Sequence, residues 1–280
     1  MKVVRDIAIM QKGAEQIRRE GKRIAFVPTM GYLHDGHRAL LREGRKKGDL
    51  LILSIFVNPI QFGPSEDLER YPRDWDRDCA IAREEGIDLL FAPEASSMYP
   101  AHFQTTVHVE QVTQGLCGAS RPGHFDGVST VVAKLFNIVK PHVALFGEKD
   151  YQQLATLRRM VEDLNFDTEI VGVPTVRESD GLAMSSRNVY LSSDERKVAT
   201  VLHRSLEEGL KQYRSGQREV PKLLHAIQKG ICEEPKIQID YLEIRDAESL
   251  EPISMIERKA VAAVAARIGK TRLIDNILIF

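Results

Sequence analysis

Cysteine is scarce in this chain of 280 residues: Cys79, Cys117 and Cys232 are odd in number, far apart and form no Cys-x-x-Cys pair. That argues against a disulfide framework or a cysteine zinc site and leads us to expect a cytoplasmic protein. A charge imbalance is missing too. The net charge of −1 lacks the basic excess of a general nucleic-acid or membrane-surface binder, so neither partner is expected. No stretch approaches the roughly 20 apolar residues of a membrane span. The start, Met1-Lys2-Val3-Val4-Arg5-Asp6, has no apolar segment of the signal-peptide kind. There are no internal repeats and no low-complexity tract. No Gly-x-Gly-x-x-Gly occurs, so a dinucleotide site has no support, and Gly269-Lys270-Thr271 is no P-loop because Val264 stands where that pattern needs glycine.

What is present is the composition of an ordinary globular protein, 43% hydrophobic and 28% charged, long enough for one large domain or two smaller ones. Ile7–Glu20 shows helical spacing. The near-continuous apolar run Leu50–Phe56 reads as a strand covered on both faces, Arg23–Val27 as a buried strand, and Ile87–Phe91, Val143–Phe146 and Thr168–Val173 as further strands. Helices are expected between them, from Ala39 to near Gly48, over Asp74–Glu85, Ser129–Val139 and Tyr151–Leu164. Alternation in Thr105–Val109 predicts an edge strand. The expected fold class is α/β, a Rossmann-like parallel sheet with helices on both faces plus a smaller α+β C-terminal domain. We place the boundary near residue 175, giving a nucleotide- and substrate-binding domain over 1–175 and a C-terminal domain over 176–280 that would serve as a lid. The latter carries helices over Ser193–Ser215 and Pro221–Cys232 and strands over Ile237–Ile244 and Ala260–Ile268.

The chain is organised around Pro28-Thr29-Met30-Gly31-Tyr32-Leu33-His34-Asp35-Gly36-His37, which leaves the first buried strand and opens a helix. An α/β sheet puts its ligand at such a place, and a helix N-terminus receives anions. Gly31 and Gly36 lack a Cβ, so a triphosphate can approach the backbone. His34 and His37 share a helical face and can donate hydrogen bonds to phosphate oxygens. Taken alone, such a pair also reads as two surface histidines beside a turn, or as a metal pair that lacks a third ligand nearby in sequence. With the strand, the glycine-rich turn and the helix around it, the motif resembles the nucleotide signature of the HIGH-type nucleotidylyltransferase and class I aminoacyl-tRNA synthetase superfamily.

Four further segments lie at strand ends or in loops. Asn58 and Gln61 follow the second buried strand, placed to touch a ligand or simply to form a turn. Arg121 and His124 precede a helix and either hold an anion or cap a loop. In Gly147-Glu148-Lys149-Asp150, Lys149 can neutralise phosphate, while Asp150 caps the next helix or binds a ribose hydroxyl, and Gln153 lies in that helix's first turn. Met184-Ser185-Ser186-Arg187 suits a flexible loop closing over polyphosphate and resembles the superfamily's second signature, Lys-Met-Ser-Lys-Ser.

In order and spacing, these segments resemble the pantothenate synthetase (pantoate–β-alanine ligase) family. Its members carry Phe56-Val57-Asn58-Pro59-Ile60-Gln61-Phe62, Arg121-Pro122-Gly123-His124-Phe125 and Phe146–Gln153 in this arrangement. The resemblance covers residues 1 to about 190. It implies ATP-dependent condensation of pantoate with β-alanine through an enzyme-bound pantoyl adenylate, releasing pyrophosphate and AMP. By the same resemblance, Met30, Gly31, Tyr32, Leu33, His34, Asp35, Gly36 and His37 would bind ATP, with His37 the proton donor. Gly147, Glu148, Lys149 and Asp150 would hold ribose and phosphate, Lys149 facing the charge that develops at phosphorus. Val176 would touch adenine, and Met184, Ser185, Ser186 and Arg187 would clamp the triphosphate. Gln61 and Gln153 would hydrogen-bond pantoate, and Gln61 would also meet β-alanine. Mg²⁺ would arrive on the ATP phosphates rather than in a protein cage, and a homodimer is implied. Some family members carry Glu where this chain has Cys117, so no polar role is carried over to that position. A nucleotidylyltransferase that stops at nucleotide transfer and a non-catalytic nucleotide-binding regulator are the alternatives. A class I tRNA synthetase is disfavoured by the short, non-basic chain.

Overall fold

The structure is a computed structural model that describes residues 1–64 and 66–280. In chain order the elements are β1 (Lys2–Val4), α1 (Ile7–Arg19), β2 (Ile24–Thr29), α2 (Asp35–Lys47), β3 (Leu50–Ile55), α3 (Trp75–Glu84), β4 (Leu89–Phe91), α4 (Ala95–Met98), α5 (Leu116–Ser120) and α6 (His124–Val139). There follow β5 (Val143–Gly147), α7 (Tyr151–Asp163), β6 (Glu169–Val173), α8 (Ser193–Arg214), α9 (Val220–Cys232), β7 (Ile237–Asp246), β8 (Ala260–Ile268) and β9 (Thr271–Ile279).

Two compact units result. The first comprises Met1–Val109, Arg121–Glu148 and Thr156–Pro174, the second Glu110–Ser120, Lys149–Ala155 and Thr175–Phe280.

The first unit holds a six-stranded sheet in the order β1-β4-β3-β2-β5-β6, parallel throughout. Ala25, Val27, Leu51, Leu53 and Leu145 point to one face and pack on Leu40 and Leu41 of α2 and on Ile81 and Ala82 of α3. Successive strand residues face opposite ways, so Ile24 and Phe26, both fully buried, are left for α1 and α6, which pack on β2 and on each other. Both faces of the central strands are therefore covered, and this is why β2, β3 and β5 read as largely apolar runs. After β4 the chain returns to the far side of β2, so the strand order reverses at β2 and β5. In open α/β sheets, ligands bind beyond the carboxyl ends of the strands at such a switch point.

The second unit is an antiparallel sheet, β7-β8-β9, with α8 and α9 packed against it. Ala260, Ala262, Val264, Ala266 and Ile268 of β8 meet Leu202, Leu206, Leu223 and Ile227 of the helices. Small residues on β8 let the helices lie close to the sheet. A bulge between Ile239 and Tyr241 leaves Asp240 out of the ladder, where it takes Arg272 at 2.7 Å and Arg267 at 3.4 Å.

The fold class expected from the sequence is the one observed. Local differences have physical causes. Residues 105–109 form no strand: the Val107 N–H donates to the Thr130 hydroxyl on α6 at 2.9 Å and His108 pairs with Asp126, so side chains take the place of a strand partner. β1 is a strand only because it pairs with β4, and no local pattern marks it. Helix α2 starts at Asp35 rather than Ala39, and α6 at His124 rather than Ser129.

Candidate active site

The turn after β2 is held by a buried carboxylate. Asp78 on α3, 2% exposed, accepts the Tyr32 N–H on Oδ2 at 2.8 Å and the Leu33 N–H on Oδ1 at 2.7 Å. Burial raises its pKa, and the two backbone donors oppose that rise. The turn needs such support because Gly31 (φ +85°) and Tyr32 (φ +51°) are both left-handed. A Cβ on Gly31 would lie 2.9 Å from Asp78 Oδ2 and 3.0 Å from Ile55, so glycine is required there on two counts. Thr29 ties the turn to β3, its hydroxyl donating to the Ser54 carbonyl at 2.8 Å and accepting the Gly31 N–H at 3.2 Å. Leu33 is fully buried and anchors the far side.

His34 is thereby delivered to the N-cap of α2. Its Nδ1 accepts the Gly36 N–H at 3.2 Å, and Nδ1 of His37 accepts the His34 N–H at 3.2 Å, a capping box made of two imidazoles. The ring centroids lie 4.1 Å apart. With each Nδ1 an acceptor, the neutral rings carry their protons on Nε2. The pair thus presents N–H donors at a helix N-terminus, the arrangement that stabilises negative charge on phosphate oxygens. Arg77 stacks over the Tyr32 ring at 4.9 Å, and Arg38 pairs with Glu84 and Glu85, each at 2.7 Å.

Gln61 lies in a short 3₁₀ turn after β3, 9% exposed. The Asn58 amide, 1% exposed, donates to Gln61 Oε1 at 3.0 Å and to the Gly127 carbonyl at 3.1 Å, while the Tyr99 hydroxyl donates to Asn58 Oδ1 at 2.7 Å. Gln61 Nε2 lies 3.4 Å from the Met30 sulfur, so these two sequence-predicted residues meet. Gly127 of α6 presses on the Gln61 backbone, where an added Cβ would come within 2.6 Å of its Cα.

Arg121 and His124 serve this same turn. His124 Nδ1 is 2.9 Å from the Gln61 carbonyl and must donate to it, so its Nε2 accepts from Arg121 Nη1 at 2.9 Å. Arg121 also forks onto Glu66 at 2.6 and 2.7 Å. Burial pushes the Glu66 carboxyl up, and the Arg121 hydrogen bond and charge more than reverse it.

The remaining expected residues belong to the second unit or lead into it. Gly147 ends β5, and Glu148–Asp150 form a 3₁₀ turn that runs straight into α7. The Lys149 carbonyl accepts from the Asn276 side chain at 2.8 Å, and next to Asn276 in β9 Asp275, 4% exposed, binds both Arg177 terminal nitrogens at 2.7 and 2.9 Å. Val176 and Met184 are brought together, the Met184 N–H donating to the Val176 carbonyl at 2.9 Å. The Ser185 hydroxyl accepts from the Arg187 N–H at 3.2 Å, starting a 3₁₀ turn over Ser186–Tyr190. Asn188 bridges Glu178 and the Ala183 carbonyl, so residues 176–188 form an ordered hairpin. In α7, Gln152 is buried, bonding Cys117 N and the carbonyls of Val112 and Gly115, whereas Gln153 is only half-buried. The cluster around Cys117 is structural: its sulfur meets the Tyr241 hydroxyl at 3.2 Å and Arg272 at 3.8 Å.

Sequence reasoning missed Asp78, Tyr99, Asp275 and Asn276. Each acts on a partner 40 or more residues away, as in Asp78 to Leu33 and Tyr99 to Asn58, so no local spacing could reveal them.

The sheet order, the reversal at β2 and β5, and a histidine-capped turn at the end of β2 define a Rossmann-like protein of the nucleotide-binding HIGH type. Residues 2–278 match the profile of the pantoate-beta-alanine ligase family. A pantothenate synthetase from Syntrophotalea carbinolica is 56% identical over 276 residues, 99% of this chain and 98% of its own length. One from Geobacter sulfurreducens is 56% identical over 279 residues. The crystal structure of the pantothenate synthetase from Thermus thermophilus superposes with a TM-score of 0.94 at 49% identity, covering 99% of both chains. A Francisella tularensis pantoate-beta-alanine ligase, complexed with β-γ ATP and β-alanine, gives 0.81 at 32% identity over 99% of this chain and 97% of its own. This chain belongs to the pantoate–β-alanine ligase family. It is an enzyme, with the family's activity of joining pantoate to β-alanine with ATP.

Proposed function

We propose that the reaction runs in two steps at the residues described above. The carboxylate of (R)-pantoate, ionised at neutral pH, attacks the α-phosphorus of ATP and pyrophosphate leaves. The amine of β-alanine then attacks the acyl carbon of the enzyme-held pantoyl adenylate, and AMP leaves as pantothenate forms. The observation that carries this reading is the His34/His37 capping box, with its Nε2–H donors on a helix N-terminus. The attack needs no strong base. It needs in-line positioning and neutralised charge, which fixed donors supply without reorganising.

In this reading His34 and His37 act on the phosphates and Lys149 on the charge building at phosphorus. Gly147, Glu148 and Asp150 hold the ribose side, Val176 meets adenine, and Met184–Arg187 clamp the triphosphate. Gln61 and Gln153 take pantoate, and Gln61 also meets β-alanine. Among the described residues no group of three or more His, Cys, Asp or Glu side chains gathers as a metal cage. By the family resemblance Mg²⁺ would come with the nucleotide, held by phosphate oxygens and water, where it would offset phosphate charge. A cytoplasmic homodimer is the state the family resemblance supports. Among the described residues no helix is long and apolar enough to cross a membrane.

The test is pyrophosphate release from ATP, Mg²⁺ and pantoate, with and without β-alanine. A stoichiometric burst without β-alanine and sustained AMP and pantothenate with it are expected. Absence of pantoate-dependent pyrophosphate even at stoichiometric enzyme would refute the adenylate.

A further inference from the structure

An amide side chain has two ends of nearly equal shape and opposite polarity, so which end faces a ligand decides what it selects. For Gln61 the surroundings settle the matter. The chain of polarity begins at the Gly127 carbonyl, which can only accept. Asn58 must turn its NH₂ towards it, at 3.1 Å, since the reverse orientation would oppose two carbonyl oxygens. The second proton of that NH₂ goes to Gln61 Oε1 at 3.0 Å. Gln61 therefore has its oxygen turned inward and its NH₂ outward, where among the described residues it meets the Met30 thioether at 3.4 Å, a weak acceptor. On the other side of Asn58, the Tyr99 hydroxyl donates to Oδ1 at 2.7 Å and completes the set. Tyr99 is fixed by ring contacts with Phe103 at 5.1 Å and Phe56 at 6.2 Å. Burial keeps its phenol protonated well beyond the usual range.

We propose that Tyr99 and Asn58 are positioning residues that lock Gln61 as a one-way hydrogen-bond donor, so that the pantoate subsite accepts only an oxygen acceptor at that point. The inference rests on the reading that Gln61 binds pantoate. It adds the polarity of the contact and the residues that impose it. Tyr99 itself touches no reacting atom and acts through Asn58. The thioether holds the donor in place in the free enzyme and is readily displaced, because a substrate oxygen is the stronger acceptor.

The test is steady-state kinetics on four variants with thermal melts alongside. Gln61→Ala is expected to raise the pantoate KM about ten-fold, the loss of roughly one buried hydrogen bond. Gln61→Glu keeps the size and can still accept from Asn58, but presents an acceptor outward. It is expected to be worse than Gln61→Ala, by about a further ten-fold at pH 8. Tyr99→Phe should raise the pantoate KM several-fold and leave the ATP KM close to wild type, with melting lowered by no more than a few degrees for the unpaired Asn58 Oδ1. Adding Tyr99→Phe to Gln61→Ala should change the pantoate KM no further, because its route to the substrate is gone. Gln61→Glu milder than Gln61→Ala overturns the donor assignment, whether or not the Tyr99 variant folds. Additive effects in the double variant overturn the positioning role alone. An unchanged pantoate KM in Gln61→Ala shows instead that pantoate is not at Gln61, which removes the underlying reading and this inference with it.

Discussion

The two segments proposed to face phosphate, the turn over residues 29–37 and the hairpin over 176–188, are built by different physics. The first is a strained backbone, with left-handed Gly31 and Tyr32 pinned by one buried carboxylate and a fully buried leucine. Its geometry is over-determined, and strain of that kind persists only where the surroundings impose it. The second is held from its flanks. Arg177 binds Asp275, and Glu178 with Asp180 binds Arg196 at 2.6 and 2.9 Å, while Val176 and Met184 share one backbone bond. The acidic partners of Arg196 are 25% and 37% exposed, so this end of the hairpin rests on ion pairs in reach of water. If the turn faces developing charge and the hairpin closes over substrate, as proposed, a preorganised site and a more weakly held segment are the two constructions those tasks call for.

The comparison breaks first at chemistry. His37→Ala removes a proposed phosphate donor and should lower kcat by about 10²–10³-fold. Pyrophosphate release measures it, and a loss under five-fold would place the charge stabilisation elsewhere. Asp78→Ala leaves the buried N–H groups of Tyr32 and Leu33 without an acceptor, a destabilisation of about 2–4 kcal/mol by denaturant unfolding. Activity should fall with it, because His34 loses its seat. A fully stable Asp78→Ala would show that the turn holds itself. Gly31→Ala tests the same point by crowding and should cost about 2 kcal/mol from left-handed strain and the approach to Asp78.

Much of this architecture could be read from the chain because buried parallel strands need apolar residues on both faces, as in Leu50–Ile55, and helices announce themselves by spacing, as in Ile7–Arg19. The strand-turn-helix bearing His34 and His37 was legible for the same reason, being one contiguous stretch. The helix start was misplaced at Ala39 because His34 is an unusual N-cap and Gly36 an unusual first-turn residue. Thr105–Val109 alternates like a strand yet finds its hydrogen bonds on α6, and alternation records only that one side is buried. Asp78, Tyr99 and Asn276 were invisible because their roles exist only after distant segments meet. Arg121 and His124 were legible as polar residues before a helix, but not as the pair that grips the Gln61 carbonyl.

The smallest effect tests the hairpin. The Arg196 hydrogen bond holds the Glu178 carboxyl below its ordinary pKa, burial opposing and Asn188 assisting. A carboxylate whose pKa is lowered on folding stabilises the native state above its unfolded pKa, and that contribution is lost as pH falls through the folded one. Glu178→Gln should therefore reduce stability at pH 7 by no more than about 1 kcal/mol, the scale of a partly exposed ion pair. The gap between variant and wild type should close as pH is lowered below the ordinary Glu range, since the wild-type carboxyl is then protonated as well. Thermal melts between pH 3 and 7 measure it, with the ATP KM at pH 7 as second readout. A rise in that KM alongside a small stability loss would mark the hairpin as a mobile clamp. A gap that stays constant with pH would show that the charge of Glu178 is not what stabilises the hairpin, since the glutamine can still accept from Asn188.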